Sequence, residues 1–138
     1  AMGRPVHVGP TGAGQMCKLA NQAIVGITIG AVAEAQLFLE KGGVDTDAMR
    51  EALKGGFADS TILQQHGSRM ARRDFEPGGL SRLQLKDLNN VLAEAEELGL
   101  KLPMVSLQSE RFSRYITELD GSERDHSGLF EELVDQQS

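Results

Sequence analysis

The chain has one cysteine, no tryptophan and a single tyrosine among 138 residues, and each shortage excludes something. A lone Cys17 cannot form a disulfide within the chain. The three histidines, His7, His66 and His126, stand far apart and offer neither C-x-x-C nor H-E-x-x-H ligand spacing, so no metal site is expected. This cysteine usage suits a reducing compartment, and the cytoplasm is the expected location. Positive charge is scarce as well: 14 Lys and Arg face 20 Asp and Glu, leaving a net charge of −6. Aromatic residues make up only 4% of the chain, which bears on nucleic-acid binding. Such a face needs a basic patch and stacking rings, and the Arg69–Arg73 cluster is too short to supply one, so no nucleic-acid partner is expected. The longest charge-free run, between Lys18 and Glu34, holds 15 residues and includes Asn21, Gln22 and Thr28. A bilayer span wants about 18 or more apolar residues, so no membrane partner is expected either. The N-terminus lacks the charged-then-apolar pattern of a secretion signal.

What is present is mostly helix. A chain of this length forms one ordinary domain and buries roughly two thirds of its unfolded surface. Pro5-Val6-His7-Val8 reads as a short strand ending at a glycine turn, and a lone strand has nothing to pair with. The chain therefore reads as the latter part of something longer. From about Gln15 to Lys41 a proline-free helix of about 40 Å is expected, stopped by Gly42-Gly43. Its middle, Ile24 to Ala33, is apolar all round, which predicts a central helix covered by other helices or by a second subunit. Asp45 is placed to cap a second helix bearing Met49, Ala52 and Leu53 on one face. A third starts near Ser60 and breaks at Pro77-Gly78-Gly79. A fourth, Leu80 to Leu98, carries Leu80, Leu83, Leu88, Val91, Leu92, Ala95 and Leu98 on its apolar stripe, closed by Gly99. A fifth opens at Pro103 with Val105, Leu107, Phe112, Ile116 and Leu119 inward. A sixth, Ser127 to about Asp135, buries Leu129, Phe130 and Leu133. The expected class is all-α around one long central helix, with a stray strand in front.

Chemistry needs polar groups that converge where the apolar pattern should exclude them. Lys18, Asn21 and Gln22 sit at i, i+3 and i+4 near the start of the most apolar helix and share one face. An ammonium beside two carboxamides can hold a carboxylate or polarise a carbonyl and give its oxygen a proton. The plainer alternative is a helix end in solvent. The run Gly9-Pro10-Thr11-Gly12-Ala13-Gly14 reads G-x-x-G-x-G, which matches neither the dinucleotide fingerprint nor the P-loop, and a tight turn suffices for it. Lys86 points away from its helix's apolar stripe, as a solvated lysine does. Arg69 to Arg73 complements a helix dipole. Adjacent Asp125, His126 and Ser127 cannot form a catalytic triad, so Asp125 or Ser127 is expected to cap the last helix. Cys17 is expected to pack as a small buried apolar group.

The residues from Gly9 to Gln22 resemble the junction segment of the β-hydroxyacid dehydrogenases, the family that includes 3-hydroxyisobutyrate dehydrogenase and tartronate semialdehyde reductase. Phe75-Glu76-Pro77-Gly78 and Leu85-Lys86-Asp87-Leu88 are similar to the family's F-x-P-G and L-K-D-L elements, and Asp125-His126-Ser127 is a third, weaker match. The resemblance implies a helical domain of the 6-phosphogluconate dehydrogenase C-terminal type over residues 11–138, with 1–10 a remnant of a dinucleotide-binding domain. It implies Lys18 as acid/base, Asn21 and Gln22 as substrate-binding residues, and Lys86 reaching an NAD or NADP held mainly by the absent half. The implied reaction is reversible hydride transfer with a small 3-hydroxy acid, tartronate semialdehyde reduction first and 3-hydroxyisobutyrate oxidation next. This part alone should be inactive, and a homodimer or homotetramer is implied. The Asn21-Gln22 pair is closer to the tartronate semialdehyde reductase branch, and the aromatic that many relatives carry after the Pro-Gly turn is replaced near Leu80. The competing reading is a non-catalytic all-α dimerisation module.

Overall fold

A computed structural model describes Gly9 and residues 12–138. The strand expected at residues 5–8 lies outside the described residues, as do Pro10 and Thr11 of the glycine turn. The rest is helical: α1 (Ala13–Lys41), α2 (Thr46–Leu53), α3 (Thr61–Arg72), α4 (Ser81–Glu97), α5 (Pro103–Leu119), a 3₁₀ turn (His126–Gly128) and α6 (Leu129–Gln136). The only β-type pairing among the described residues is an isolated bridge between Leu80 and Asp125.

Local chemistry sets most of these boundaries. The Asp45 carboxylate accepts from the backbone N–H groups of Asp47 and Ala48, and the Ser60 hydroxyl accepts from that of Leu63 at 2.8 Å. Pro103 opens α5, where a missing N–H costs nothing. Two non-glycine residues, Arg73 and Asp120, adopt left-handed φ values of 56° and 57° just after α3 and α5. Arg73 is held in that conformation by a two-pronged pair with Glu40, both contacts at 2.8 Å, and by stacking 4.5 Å above the Phe130 ring.

The 29-residue α1 is the axis, and α3, α4, α5 and α6 pack around it. Its buried stripe of Leu19, Ala23, Gly26, Ile29, Gly30 and Ala33 meets Leu88, Val105, Phe112, Leu129 and Phe130 from those helices. Each large side chain in that set contributes roughly 1.5–3 kcal/mol by leaving water. By length and composition alone α1 could cross a bilayer, because its apolar stretch runs past the charges that bound the strictly charge-free segment. Only 33% of that stretch is buried, on the side the other helices cover. Ile24, 65% exposed, and Phe38, 77% exposed, stay uncovered, so the all-round burial predicted for α1 holds on one side within this chain.

Several inward assignments need correction. Leu83, Leu98 and Leu107 are exposed, because a 3- and 4-residue repeat marks a stripe but not which of its edges a neighbour reaches, and α4 ends at Glu97, before Leu98. The polar residues Gln84 and Gln108 are buried in those same helices. Ala52 is exposed, and α2 buries Thr46 and Arg50 instead. Cys17 is only half-buried. The sixth helix divides into the 3₁₀ turn and α6 at Leu129, and its expected core of Leu129, Phe130 and Leu133 is buried.

Candidate active site

The helical repeat places Lys18, Asn21 and Gln22 on one face of α1's first turns, with Lys18 exposed and the two carboxamides half-buried. The carboxamides form a chain: Asn21 Nδ2 donates to Gln22 Oε1 at 3.2 Å, and Gln22 Nε2 donates to Asp87 Oδ2 at 3.0 Å. Asp87 follows Lys86 on α4, and Lys86 is exposed. The fold thus joins the first motif to the L-K-D-L element through one hydrogen bond. Gln22 has both ends of its carboxamide engaged, while Asn21 keeps its carbonyl and one N–H for a ligand. Several other cations are committed: Arg50, Arg73, Arg111 and Arg114 all lie against carboxylates.

The backbone beneath that face is gripped from α4. Gln84 Nε2 donates to the Gln22 carbonyl at 3.0 Å, although that carbonyl already serves the helix. The approach is open because residue 26, one turn on, is glycine: a Cβ there would stand 2.9 Å from Gln84 Nε2. Helical Cβ atoms tilt toward the N-terminus, so a side chain at i+4 shades the carbonyl at i. The arrangement repeats one turn later, where Gln108 Nε2 donates to the Gly26 carbonyl at 2.7 Å and a Cβ at Gly30 would meet it at 2.6 Å.

Gln84 is held in turn. Its Oε1 lies 3.0 Å from His126 Nδ1, and His126 Nε2 lies 3.1 Å from His66 Nε2, the two rings meeting edge to face. Burial pushes both imidazoles toward the neutral form, against the pull of Asp125, His126 down to about 4 and His66 in the same direction. Asp125 fixes this corner. Its Oδ1 accepts from the Gly78 and Gly79 N–H groups at 2.9 Å each, and its Oδ2 from the backbone N–H and hydroxyl of Ser127. Burial alone would raise this carboxyl, but those donors outweigh it and hold it at about 2. The Pro-Gly-Gly turn and the Asp-His-Ser element are therefore two halves of one lock, with the His126 N–H donating to the Gly79 carbonyl at 2.7 Å. Asp125, expected with Ser127 as a cap for the last helix, caps the 3₁₀ turn before it, while α6 itself begins after Gly128 with no side-chain cap.

Sequence reasoning missed His66, Gln84 and Asp87. Gln84 did leave a signal, a carboxamide inside the apolar register of α4; His66 left none, since its partner lies 60 residues away. His66, Asp125 and His126 bring ligand-type atoms within 4.8 Å of one another. Asp125 already accepts four hydrogen bonds, which leaves no lone pair for an ion. A cleft of about 780 Å³ where α4 gives way to α5 is lined by Leu92, Leu100, Leu102 and Pro103 among others, and by none of the candidate residues.

Two solved structures share this fold. A 3-hydroxyisobutyrate dehydrogenase from Mycobacterium tuberculosis, in a structure described with L-serine, matches with a TM-score of 0.83 and 24% identity over 93% of this chain and 46% of that one. One from Salmonella typhimurium matches with a TM-score of 0.79 and 24% identity over 87% of this chain and 42% of that one. The fold is that of the helical part of the 3-hydroxyisobutyrate dehydrogenases. The chain belongs to the family described as the NAD-binding domain of NADP-dependent 3-hydroxyisobutyrate dehydrogenase, which matches residues 12–133. It is 48% identical over 126 residues to 2-hydroxy-3-oxopropionate reductase of Escherichia coli, covering 91% of this chain and 43% of that protein. A probable mitochondrial 3-hydroxyisobutyrate dehydrogenase-like protein of Arabidopsis thaliana is 34% identical over 80% of this chain and 33% of its own length. The chain thus spans less than half the length of these relatives.

Proposed function

We propose that this chain is the helical, substrate-side part of an NAD(P)-dependent β-hydroxyacid dehydrogenase, residues 11–138 forming that domain and 1–10 the end of a dinucleotide-binding one. The preferred reaction is reduction of 2-hydroxy-3-oxopropionate (tartronate semialdehyde), with 3-hydroxyisobutyrate oxidation next, and 48% identity to the reductase favours that order. The observation that carries the reading is an exposed lysine one turn before two carboxamides, joined by Gln22 to Asp87 beside a second exposed lysine.

In this reading Lys18 Nζ gives a proton to the substrate's carbonyl oxygen during reduction and takes it back during oxidation. Asn21 offers the substrate carboxylate or hydroxyl its free N–H and carbonyl, while Gln22 orients Asn21 and tethers α1 to α4. Lys86, exposed and next in sequence to the Asp87 that Gln22 holds, supplies a positive charge suited to an anionic cofactor such as NAD or NADP. The nicotinamide supplies the hydride when bound. Self-association as a homodimer or homotetramer is supported by Ile24 and Phe38, exposed on the uncovered side of α1. The same exposed side supports the second reading, a non-catalytic dimerisation module. A cytoplasmic location is proposed from the lone cysteine.

The test is Lys18→Ala in the full-length protein, assayed by NADH and NADPH oxidation with the semialdehyde. Loss of roughly 10²-fold or more in kcat with the fold intact is expected if proton transfer is the role of Lys18. A variant within a few-fold of wild type overturns the assignment, and failure of the wild type to bind either nucleotide favours the module.

A further inference from the structure

With both buried imidazoles neutral, the polar chain from the Gln22 carbonyl to His66 has only one consistent arrangement of protons. Gln84 donates through Nε2 to a carbonyl, which cannot donate back, so its Oε1 faces His126. A carboxamide oxygen only accepts, so His126 carries its proton on Nδ1 and leaves Nε2 bare. His66 Nε2, 3.1 Å away, must then supply the proton between the rings. That assigns a bare Nδ1 to His66, and this atom is buried without a hydrogen-bond partner. The orphaned nitrogen is thus a consequence of the chain's direction. Its surroundings complete the picture: Asp125 Oδ2 lies 3.9 Å away, and Arg69 Nη1 sits 3.7 Å from that same oxygen. The ordinary expectation for a buried histidine pair is packing alone, but packing does not require each nitrogen to have one permitted state.

We propose that Gln84 and His126 are positioning residues for the Lys18–Gln22 turn: the neutral imidazole pair holds the Gln84 carboxamide in the one orientation that presents its N–H to the Gln22 carbonyl. The inference rests on the reading of that turn as the substrate-binding and proton-transferring face. Flipping the Gln84 carboxamide would set its oxygen against the carbonyl of Gln22 and its N–H against His126 Nδ1–H, two repulsions at once. His126 forbids that flip. Gly79 leaves room for the ring, since a Cβ there would stand 3.0 Å from His126 Cε1 and Nε2. Residues that never touch substrate thereby fix the angle at which Asn21, oriented by Gln22, faces it.

The experiment uses the full-length protein with ¹⁵N-labelled histidine, and variants His126→Ala and His126→Asn beside Lys18→Ala. Imidazole nitrogen shifts near neutral pH should show His126 protonated on Nδ1 and His66 on Nε2. Either ring in the opposite tautomer overturns the proposal. In His126→Ala the KM for the semialdehyde should rise roughly tenfold with kcat changed less, because a misplaced binding group costs binding before it costs chemistry. In His126→Asn the side-chain Nδ2 stands where the ring Nδ1 stood and can donate to Gln84, so KM should return to within about twofold of wild type. A merely structural histidine would not give that split between Ala and Asn, and equal KM values in the two variants overturn the positioning role. If Lys18→Ala keeps its rate, the catalytic reading fails instead, and the tautomers still decide the relay.

Discussion

Gln84 and Gln108 grip α1 one turn apart by the same device, a carboxamide laid over a glycine, yet they are anchored by opposite chemistry. Gln84 reaches the Gln22 carbonyl across Gly26 and is held by His126, whose ring is neutral and whose other nitrogen meets His66. Gln108 reaches the Gly26 carbonyl across Gly30 and is held by Arg111 Nη1 at 3.3 Å, with Arg111 Nε donating to buried Glu132 at 2.9 Å. Each anchor leaves one buried nitrogen without a partner, His66 Nδ1 in the first and Arg111 Nη2 in the second. A guanidinium–carboxylate anchor is a fixed charge pair, whereas an imidazole anchor changes with pH. The clamp next to the candidate site is the titratable one.

The largest effect should come from breaking the charged anchor. Glu132 accepts from Arg111, Arg114 and Gln136, so Glu132→Ala leaves Arg111 buried with its main counter-charge gone. Removing one partner of a buried pair costs about 3–5 kcal/mol, and urea denaturation of the variant should show a loss of that size. His126→Ala removes no charge and should cost clearly less in the same measurement. Equal losses would erase the distinction between the anchors.

That distinction was only partly legible in the sequence. Helix existence was readable from apolar period, and α2, α3 and α5 start where Asp45, Ser60 and Pro103 place them. The Lys18, Asn21, Gln22 face needed only helical geometry. Leu83 and Leu107 misled because they belong to apolar stripes whose edges no neighbour covers. Gln84 and Gln108 sit within those stripes and are buried because α1 offers them a carbonyl beside a glycine, a match that becomes visible only when helices are set side by side. His66 and His126 meet only because α3 and the turn before α6 both close on Asp125, which no spacing along the chain encodes.

The glycines offer a finer test of the shared device. In Gly30→Ala the new methyl would stand 2.6 Å from Gln108 Nε2 and 2.9 Å from its Cδ and Oε1, so the whole carboxamide must leave. In Gly26→Ala the contact is 2.9 Å to Gln84 Nε2 and 3.2 Å to Leu88 Cδ2, and a smaller shift suffices. Overpacking of this kind costs about 1–3 kcal/mol, partly offset by alanine's better helix propensity, with Gly30→Ala at the upper end and Gly26→Ala at the lower. Thermal denaturation of both variants checks the order. If Gly26→Ala is the worse of the two, the clamps do not depend on clearance as described.

The most specific effect is on acid stability. His126 has a folded-state pKa of about 4, below its ordinary 6.5, so between those values the unfolded chain binds more protons than the folded one. Stability should therefore be full above about pH 6.5 and decline as pH falls toward 4, by on the order of 2 kcal/mol. His66 is shifted in the same direction and adds to the same window. Asp125, held at about 2 against an ordinary 3.8, contributes stability that is lost only below that window, as pH falls through its own. Denaturation midpoints measured from pH 7 to pH 4 should slope downward for the wild type and less steeply for His126→Asn, which keeps the donor to Gln84 and loses its own titration while His66 keeps its share. A wild type whose stability is level across that range would place the two anchors in the same class, since the imidazole pair would then hold its clamp as indifferently to pH as the guanidinium does.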